Sequence, residues 1–490
     1  MLRTGLIVVG AYLGAALFAP PPFHTLPFQG KQGQGSDLAR RVTSAPDGLV
    51  KMTYAARDGI CGDGKSFIAD ASTAGRGYDV WFSEGNFSTT SSMSDFESRC
   101  TRGPVRLLLV VRDHRVVDVQ PFVGPASRAT ERAGTELGTV PVSDVARYLL
   151  DLATAGREDV ARTAILAASI ADSVRIAGRL ADIARNKSLA ASVRESALKW
   201  VGRVGAREGD RDAMRVARTI AEDRQDQVDV RERAIRVIGE YDGDVAYLRS
   251  LYPRLDEATL RERVVRVVGE NGSKADLDWV RAIALNRNER TDIRERAVRV
   301  LGESSDSRSL RELYEKLDDP SLRERVIRAL AEIGDSESRK WLREIVERST
   351  EPASLRERAI RSLAEQGDDA YLRSVYPKLD DESLRERVIR SMAEAGGSET
   401  TAWLKGIIRD PKESSSLRER AVRSLAESGV PTADLVAIYD SVTDRDVRDR
   451  LVNILAERGD RAAHDKLRAI AKDDPDEDLR RRATRKLAEK

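Results

Sequence analysis

The sequence predicts a mainly α-helical protein: an α-solenoid, a right-handed superhelix of stacked helix pairs, preceded by a small mostly β domain. Three observations predict it. The phrase Leu-Arg-Glu-Arg stands at Leu260–Arg263, Leu322–Arg325, Leu355–Arg358, Leu384–Arg387 and Leu417–Arg420, with variants beginning at Val193, Val230, Ile293, Val447 and Leu479 and a fainter one at Val160. Successive anchors lie 29–37 residues apart, the period at which one helix pair stacks on the next. The composition, 33% charged and 5% aromatic over 490 residues, suits amphipathic helices with ion-paired outer faces. Finally, the β-branched runs and both cysteines are confined to the first 140 residues.

Residues 1–19 read as an export signal. Arg3 gives the positive start, and Leu6–Phe18 is an apolar run too short and too Gly-interrupted to span a bilayer comfortably. Ala15, Ala16 and Ala19 supply small residues for cleavage, and no Cys follows to carry a lipid. The expected location is periplasmic or extracellular, with membrane attachment only through this segment if it stays uncleaved. Residues 20–40, rich in Pro, Gly and Gln, are expected to be a flexible linker.

Residues 41–140 read as a small β-rich domain. Val105–Val111 and Val116–Val123 flank Arg112-Asp113-His114-Arg115 as a hairpin, and Val50–Tyr54 and Tyr78–Phe82 are further strands. Cys61 and Cys100 are the only cysteines. In an exported chain the pair is expected to form a disulfide; the alternative is two buried thiols.

Residues 141–490 are expected to be helical throughout, each unit being a helix A, a short turn and a helix B that carries the phrase. In Leu322–Gly334 the residues Leu322, Val326, Ile327 and Leu330 share one face, and Gly334 stands at the C-cap. Arg323 lies about 100° from Leu322, on the apolar side, and needs acceptors there. Asp318 and Asp319 in the preceding turn are the expected suppliers, directly or from a neighbouring unit. Glu324, Arg328 and Glu332 line the opposite face at i, i+4 and i+8. The anchors from Ile293 to Leu417 alternate in spacing between 29 and 33 residues, so the true unit is a double repeat. Trp279, Trp341 and Trp403 recur every 62 residues, as do Tyr252, Tyr314 and Tyr376. The tyrosines are expected in the core. The tryptophans have two readings: packing between repeats, or an exposed row that grips a partner.

The Arg one residue into helix B, the Ala/Val-Ile/Val core after it, the Ala/Gly-Glu-x-Gly ending and the Asp before helix B resemble the HEAT-repeat proteins, specifically the bacterial group named after phycobilin lyases. The resemblance covers about 350 residues and implies an armadillo-like helical fold. It implies no single activity, because such repeats serve many functions.

Motifs that invite an enzyme reading are weak. Gly59–Ser66 matches the phosphate-loop spacing, but Gly75 and Gly77 interrupt the helix such a loop must open. The histidines His24, His114 and His464 form no metal motif, and the His-Glu pairs that hold iron in deoxyhypusine hydroxylase are missing. The formal net charge of +2 gives no one-signed nucleic-acid footprint. The reading is an exported, non-catalytic scaffold of the cell envelope that binds protein partners and takes no cofactor and no nucleic acid. Trp279, Trp341, Trp403, Arg325, Arg358, Arg387 and Arg420 are its candidate partner-binding residues. The alternative is an enzyme or small-ligand binder, phycobilin-lyase-like or phosphate-loop-like, with its site where the β domain meets the helices.

Overall fold

A computed structural model describes residues 35–70, 79–82, 99–304 and 306–489. The expected export signal and most of the expected linker lie outside the described residues. The chain divides into two compact units, Met1–Ile176 and Ala177–Lys490.

Among the described residues the first unit holds seven strands: β1 Gly48–Tyr54, β2 Ile60–Gly62, β3 Phe67–Asp70, β4 Asp79–Phe82, β5 Val105–Arg112, β6 Arg115–Val123 and β7 Thr135–Thr139. They form a four-stranded sheet in the order β6-β5-β1-β7 and a three-stranded sheet in the order β2-β3-β4. The expected hairpin is β5–β6. Its turn places Asp113 and His114 at φ of 48° and 60°, the twin left-handed pair that a two-residue hairpin loop requires. The Asp113 N–H donates to Asp47 at 3.0 Å, and His114 Nδ1 meets the Thr43 carbonyl at 2.8 Å.

Two expectations are corrected here. The last residues of the expected linker are a helix, Gly35–Thr43, with Leu38 and Val42 buried. The first two helices of the expected solenoid, Val142–Ala155 and Glu158–Ser169, belong to the β unit. The Tyr54 hydroxyl donates to the Ala167 carbonyl at 2.8 Å, and the Arg57 N–H donates to the Ile170 carbonyl at 2.9 Å. Strand β6 packs on the helix Glu158–Ser169. That helix carries Ala161 where the later B helices carry an arginine. Its small residues Ala161, Ala164 and Ala168 are buried, so the sheet supplies the apolar cover that the bare first repeat needs.

The second unit contains ten helix pairs among the described residues. The arginine after the apolar anchor locks one pair to the next in two ways, which alternate from Arg231 to Arg448. In the first lock, Nε of Arg194, Arg231, Arg294, Arg356 and Arg418 donates to the carbonyl ten residues back, on Ala184, Ala221, Ala284, Val346 and Ile408, at 2.8–3.3 Å. The same guanidinium reaches a turn carboxylate of the following pair: Asp226, Glu257, Asp318, Asp380 or Asp444. One arginine thus joins three helices.

In the second lock, Arg261, Arg323, Arg385 and Arg448 lie 4.2–5.0 Å over the rings of Tyr252, Tyr314, Tyr376 and Tyr439. Each pairs with a largely buried carboxylate of the following pair: Glu289, Glu351, Glu413 or Asp474. The locks explain the 29/33 alternation. The turn before Pro320 has three residues, whereas the turn before Ala353 has five and carries Glu351 to Arg323. The expected ladder of buried-side arginines is therefore present at Arg261, Arg323, Arg356, Arg385 and Arg418. Its carboxylates come from the following pair and not from the arginine's own turn. Asp318 serves Arg294, and Asp319 caps its own helix by accepting the Ser321 N–H at 2.8 Å.

Burial makes these locks costly to break. Arg194 and Asp226 have side chains only 1% and 2% exposed. Removing one member of such a pair strands the other, a loss of about 3–5 kcal/mol. Arg194→Ala is expected to lower the midpoint of urea denaturation clearly. Arg328→Ala, whose partner Glu324 is a half-exposed neighbour on the same helix, is expected to change stability by less than about 0.5 kcal/mol.

Candidate interaction face and the β-unit loop

The seven B helices with anchors from Val230 to Leu417 carry the same four polar residues on one face. Counted from Leu322, they are Glu324, Arg325, Arg328 and Glu332, which fall within about 100° of arc. Repeated along the array, they make a ladder and two columns.

The ladder joins neighbouring B helices. Arg296 pairs with Glu262 at 3.3 Å, Arg387 with Glu357 at 2.6 Å, Arg420 with Glu386 at 2.6 Å and Arg450 with Glu419 at 3.1 Å. Arg325 pairs with Glu295 in the same way. The candidate residues Arg325, Arg387 and Arg420 are thus tied into the array. Arg358 is the exception: Glu324, its counterpart, is bonded by Arg328, and Arg358 has no ion pair among the described residues. Burial first, then the neighbouring Arg328 and Arg361, hold its pKa below the usual arginine value.

The first column is the arginine three residues further on, and here sequence reasoning missed an alternation. Arg266, Arg328 and Arg390 pair with a glutamate of their own helix. Arg236, Arg299, Arg361 and Arg423 have no ion pair among the described residues. The unpaired arginines stand one in every second B helix, on the helices that carry the first lock. The second column is Glu303, Glu332, Glu365, Glu394, Glu427 and Glu457, all exposed and without an ion pair among the described residues. The signal was present in the spacing of the phrase, but only the double-repeat register shows which arginines remain open.

The tryptophans do not form an exposed row. Trp279, Trp341 and Trp403 meet Tyr252, Tyr314 and Tyr376 edge to face, at 5.2, 4.6 and 5.3 Å between ring centres. Trp341 is 2% exposed and the other two are half-buried. They pack each pair on the one before it, next to the second lock.

In the first unit Cys61 and Cys100 are disulfide-bonded, with Cα atoms 5.2 Å apart. The loop with phosphate-binding spacing is the turn of an antiparallel hairpin, β2–β3, and opens no helix. Its backbone donors are already occupied. Asp63 accepts the N–H groups of Lys65 at 2.9 Å, Ser66 at 2.7 Å and Phe67 at 3.2 Å, and Arg99 donates to its other oxygen at 2.8 Å. A carboxylate of the chain itself fills the nest that a phosphate would occupy. Partial burial works to raise the Asp63 pKa, but hydrogen bonds from Ser66, Lys65 and Phe67 outweigh it and hold the carboxyl at about 2.

Among the described residues no group of three His, Cys, Asp or Glu side chains could hold a metal. No described helix is long and apolar enough to cross a membrane. A cleft of about 360 Å³ lies beside the π turn Ile238–Asp242, lined by Met214, Tyr241 and Arg218. Arg218 is already bound to Asp242 and Asp244.

Two expectations follow. A folded-state pKa of about 2 against an ordinary 3.8 means that Asp63 contributes about 2 kcal/mol, fully present above about pH 4 and lost as the pH falls toward 2. Asp63→Asn should therefore flatten the acid limb of thermal stability measured by circular dichroism. Trp341→Ala, which empties a buried aromatic site, should cost about 3–5 kcal/mol in denaturation experiments.

Residues 277–364 and 308–383 match the family model for HEAT repeats. No curated protein matches the chain. Among solved structures, human deoxyhypusine hydroxylase in complex with glycerol is 18% identical over 51% of this chain and 97% of its own, with a TM-score of 0.22. The phycocyanin lyase complex from Nostoc sp. is 16% identical over 57% and 94%, with a TM-score of 0.25. Yeast importin-β is 13% identical over 70% and 57%, with a TM-score of 0.33. Likenesses this distant carry no argument about activity or partner. The repeats themselves do place the fold: the paired helices of the second unit form a HEAT-like α-solenoid, and those between residues 277 and 383 match the HEAT model.

Proposed function

We propose that this protein is an exported, non-catalytic scaffold of the cell envelope, and that its B-helix face is the surface that engages a protein partner. The observation that carries the reading is the pair of charged columns on that face. Apart from Arg358, the ladder of Arg–Glu pairs is neutral and internally satisfied. Beside it stand Arg236, Arg299, Arg361 and Arg423, which have no ion pair among the described residues, and the exposed glutamates Glu303 to Glu457. A face that carries both signs in register favours a partner with a matching pattern and disfavours a uniform polyanion. Export is supported by the apolar run Leu6–Phe18 with Arg3 before it and by the Cys61–Cys100 bond, since such bonds persist in oxidising compartments. A non-catalytic role is consistent with the phosphate-loop spacing being closed by Asp63.

The test compares the wild type with Arg299→Glu/Arg361→Glu/Arg423→Glu in chemical cross-linking and affinity capture from the native envelope. The proposal expects a specific protein that is recovered with the wild type, lost with the triple variant and weakened by added salt over the Debye range. Equal recovery with both proteins, in a variant whose circular dichroism is unchanged, contradicts it.

A further inference from the structure

Two departures from the repeat meet at one place in the second unit. The helix Ala191–Glu208 has 18 residues, where Ala258–Asn271 and Pro320–Ile333 have 14. The difference is about one helical turn. The anchors Val193 and Val230 accordingly lie 37 residues apart, where the longer regular spacing is 33. The next B helix gains one residue: Val230 and Leu260 lie 30 apart, where Ile293 and Leu322 lie 29 apart. The extra residue is taken up as the π turn Ile238–Asp242, a form of insertion frequent at functional sites. Between Leu417 and Val447 the same excess falls instead in the loop after the helix Ser415–Glu427.

The added turn and the π turn are opposite walls of the cleft of about 360 Å³. Tyr241 enters from the π turn. Its ring lies on the bare backbone of Gly202, where a Cβ would stand 2.5 Å from Cδ2. Met214 lies against Gly205 in the same way, with its Sδ 3.1 Å from where a Cβ would stand. An aromatic ring and a thioether are thus the apolar part of the lining. The charged part is uneven: Arg211, Arg215 and Arg218 face two carboxylates, Asp210 and Asp242. Arg218 is held by Asp242 and Asp244. Asp210 caps the helix Arg211–Glu222 by accepting the Ala213 N–H at 2.9 Å. Arg215 pairs with Asp212 at 2.7 Å, but both side chains are largely exposed, and such a pair is easily exchanged for another. Arg211 is exposed and has no ion pair among the described residues. The helix ends that meet here do not set the sign, because the Gly205 carbonyl takes the N–H groups of Gly209 and Asp210 and Asp210 closes the other end. The side chains set it, and they leave an excess of positive charge.

We propose that this cleft binds a small aromatic acid, with its ring against Tyr241 and Met214 and its anionic group toward Arg211 and Arg215. A ring and a thioether both favour an aromatic body over an aliphatic one. Three arginines disfavour a cation. The volume suits a molecule of one or two rings. None of the charged-column residues lines the cleft, so the site stands apart from the partner face.

Nuclear magnetic resonance on the full chain at neutral pH, with 13C-labelled methionine methyl groups, tests this with benzoate, benzylamine and acetate as probes. The chain has only five methionines, and the Met214 signal is the one lost in Met214→Leu. Benzoate should move the Met214 methyl saturably and leave that of the buried Met392 in place. Benzylamine should leave the Met214 methyl unmoved, and acetate at the same concentration should not displace benzoate. Arg211→Gln/Arg215→Gln, a surface change, should weaken benzoate binding by about tenfold. Tyr241→Ala should weaken it by a similar factor, of about tenfold, while Tyr241→Phe retains it. No saturable shift with benzoate, an equal response to benzylamine, displacement by equimolar acetate, or unchanged benzoate affinity in the double arginine variant overturns the proposal.

Discussion

The second unit depends on one constraint: a guanidinium placed on the apolar side of every B helix must find its acceptors inside the array. In the first lock it takes the carbonyl that closes its own A helix and a turn carboxylate of the next pair. In the second it takes the face of a tyrosine and a carboxylate held by a longer turn. Neither set is complete within one helix pair. An isolated pair would strand an arginine, so the chain gains a reason to stack that apolar burial alone does not give. The same constraint sets the register. From Arg231 onward, a slip of one unit would bring a first-lock arginine against a long turn and a second-lock arginine against a short one.

The two locks also divide the outer face. On helices with the second lock, Arg266, Arg328 and Arg390 fold onto a neighbouring glutamate. On helices with the first lock, Arg236, Arg299, Arg361 and Arg423 do not. The double repeat is therefore visible on the surface as well as in the core, and a partner reading the B-helix face meets a charge pattern with twice the period of the helix pairs. Interior packing thereby sets the repeat distance of the surface offered for recognition.

Much of this was legible in the sequence because its periods are physical. The 100° offset of Arg323 from Leu322 placed it toward the core, and the 29/33 alternation announced a double unit. The carboxylate that answers Arg323 was not legible. Glu351 lies in a turn with no helical period, and only stacking brings it across. Nor was the allegiance of the first two helices. Val160–Ile170 reads as one more repeat, yet Ala161 replaces the lock arginine and the sheet takes the place of a preceding pair. The phosphate-loop spacing at Gly59–Ser66 misled for a related reason: spacing does not reveal that Asp63 turns back onto the same N–H groups.

The central claim is that each lock holds the pair before the carboxylate, not the pair that contains it. Hydrogen exchange on Glu351→Gln tests this most directly. Glu351 lies in the turn of the pair Ser336–Glu365, while its arginine, Arg323, lies in the pair Ser307–Ile333. The account predicts that protection falls in the helix Pro320–Ile333 and around Tyr314 at least as much as in the helix Ala353–Glu365. Loss confined to Ser336–Glu365, with Pro320–Ile333 exchanging as in the wild type, would contradict it.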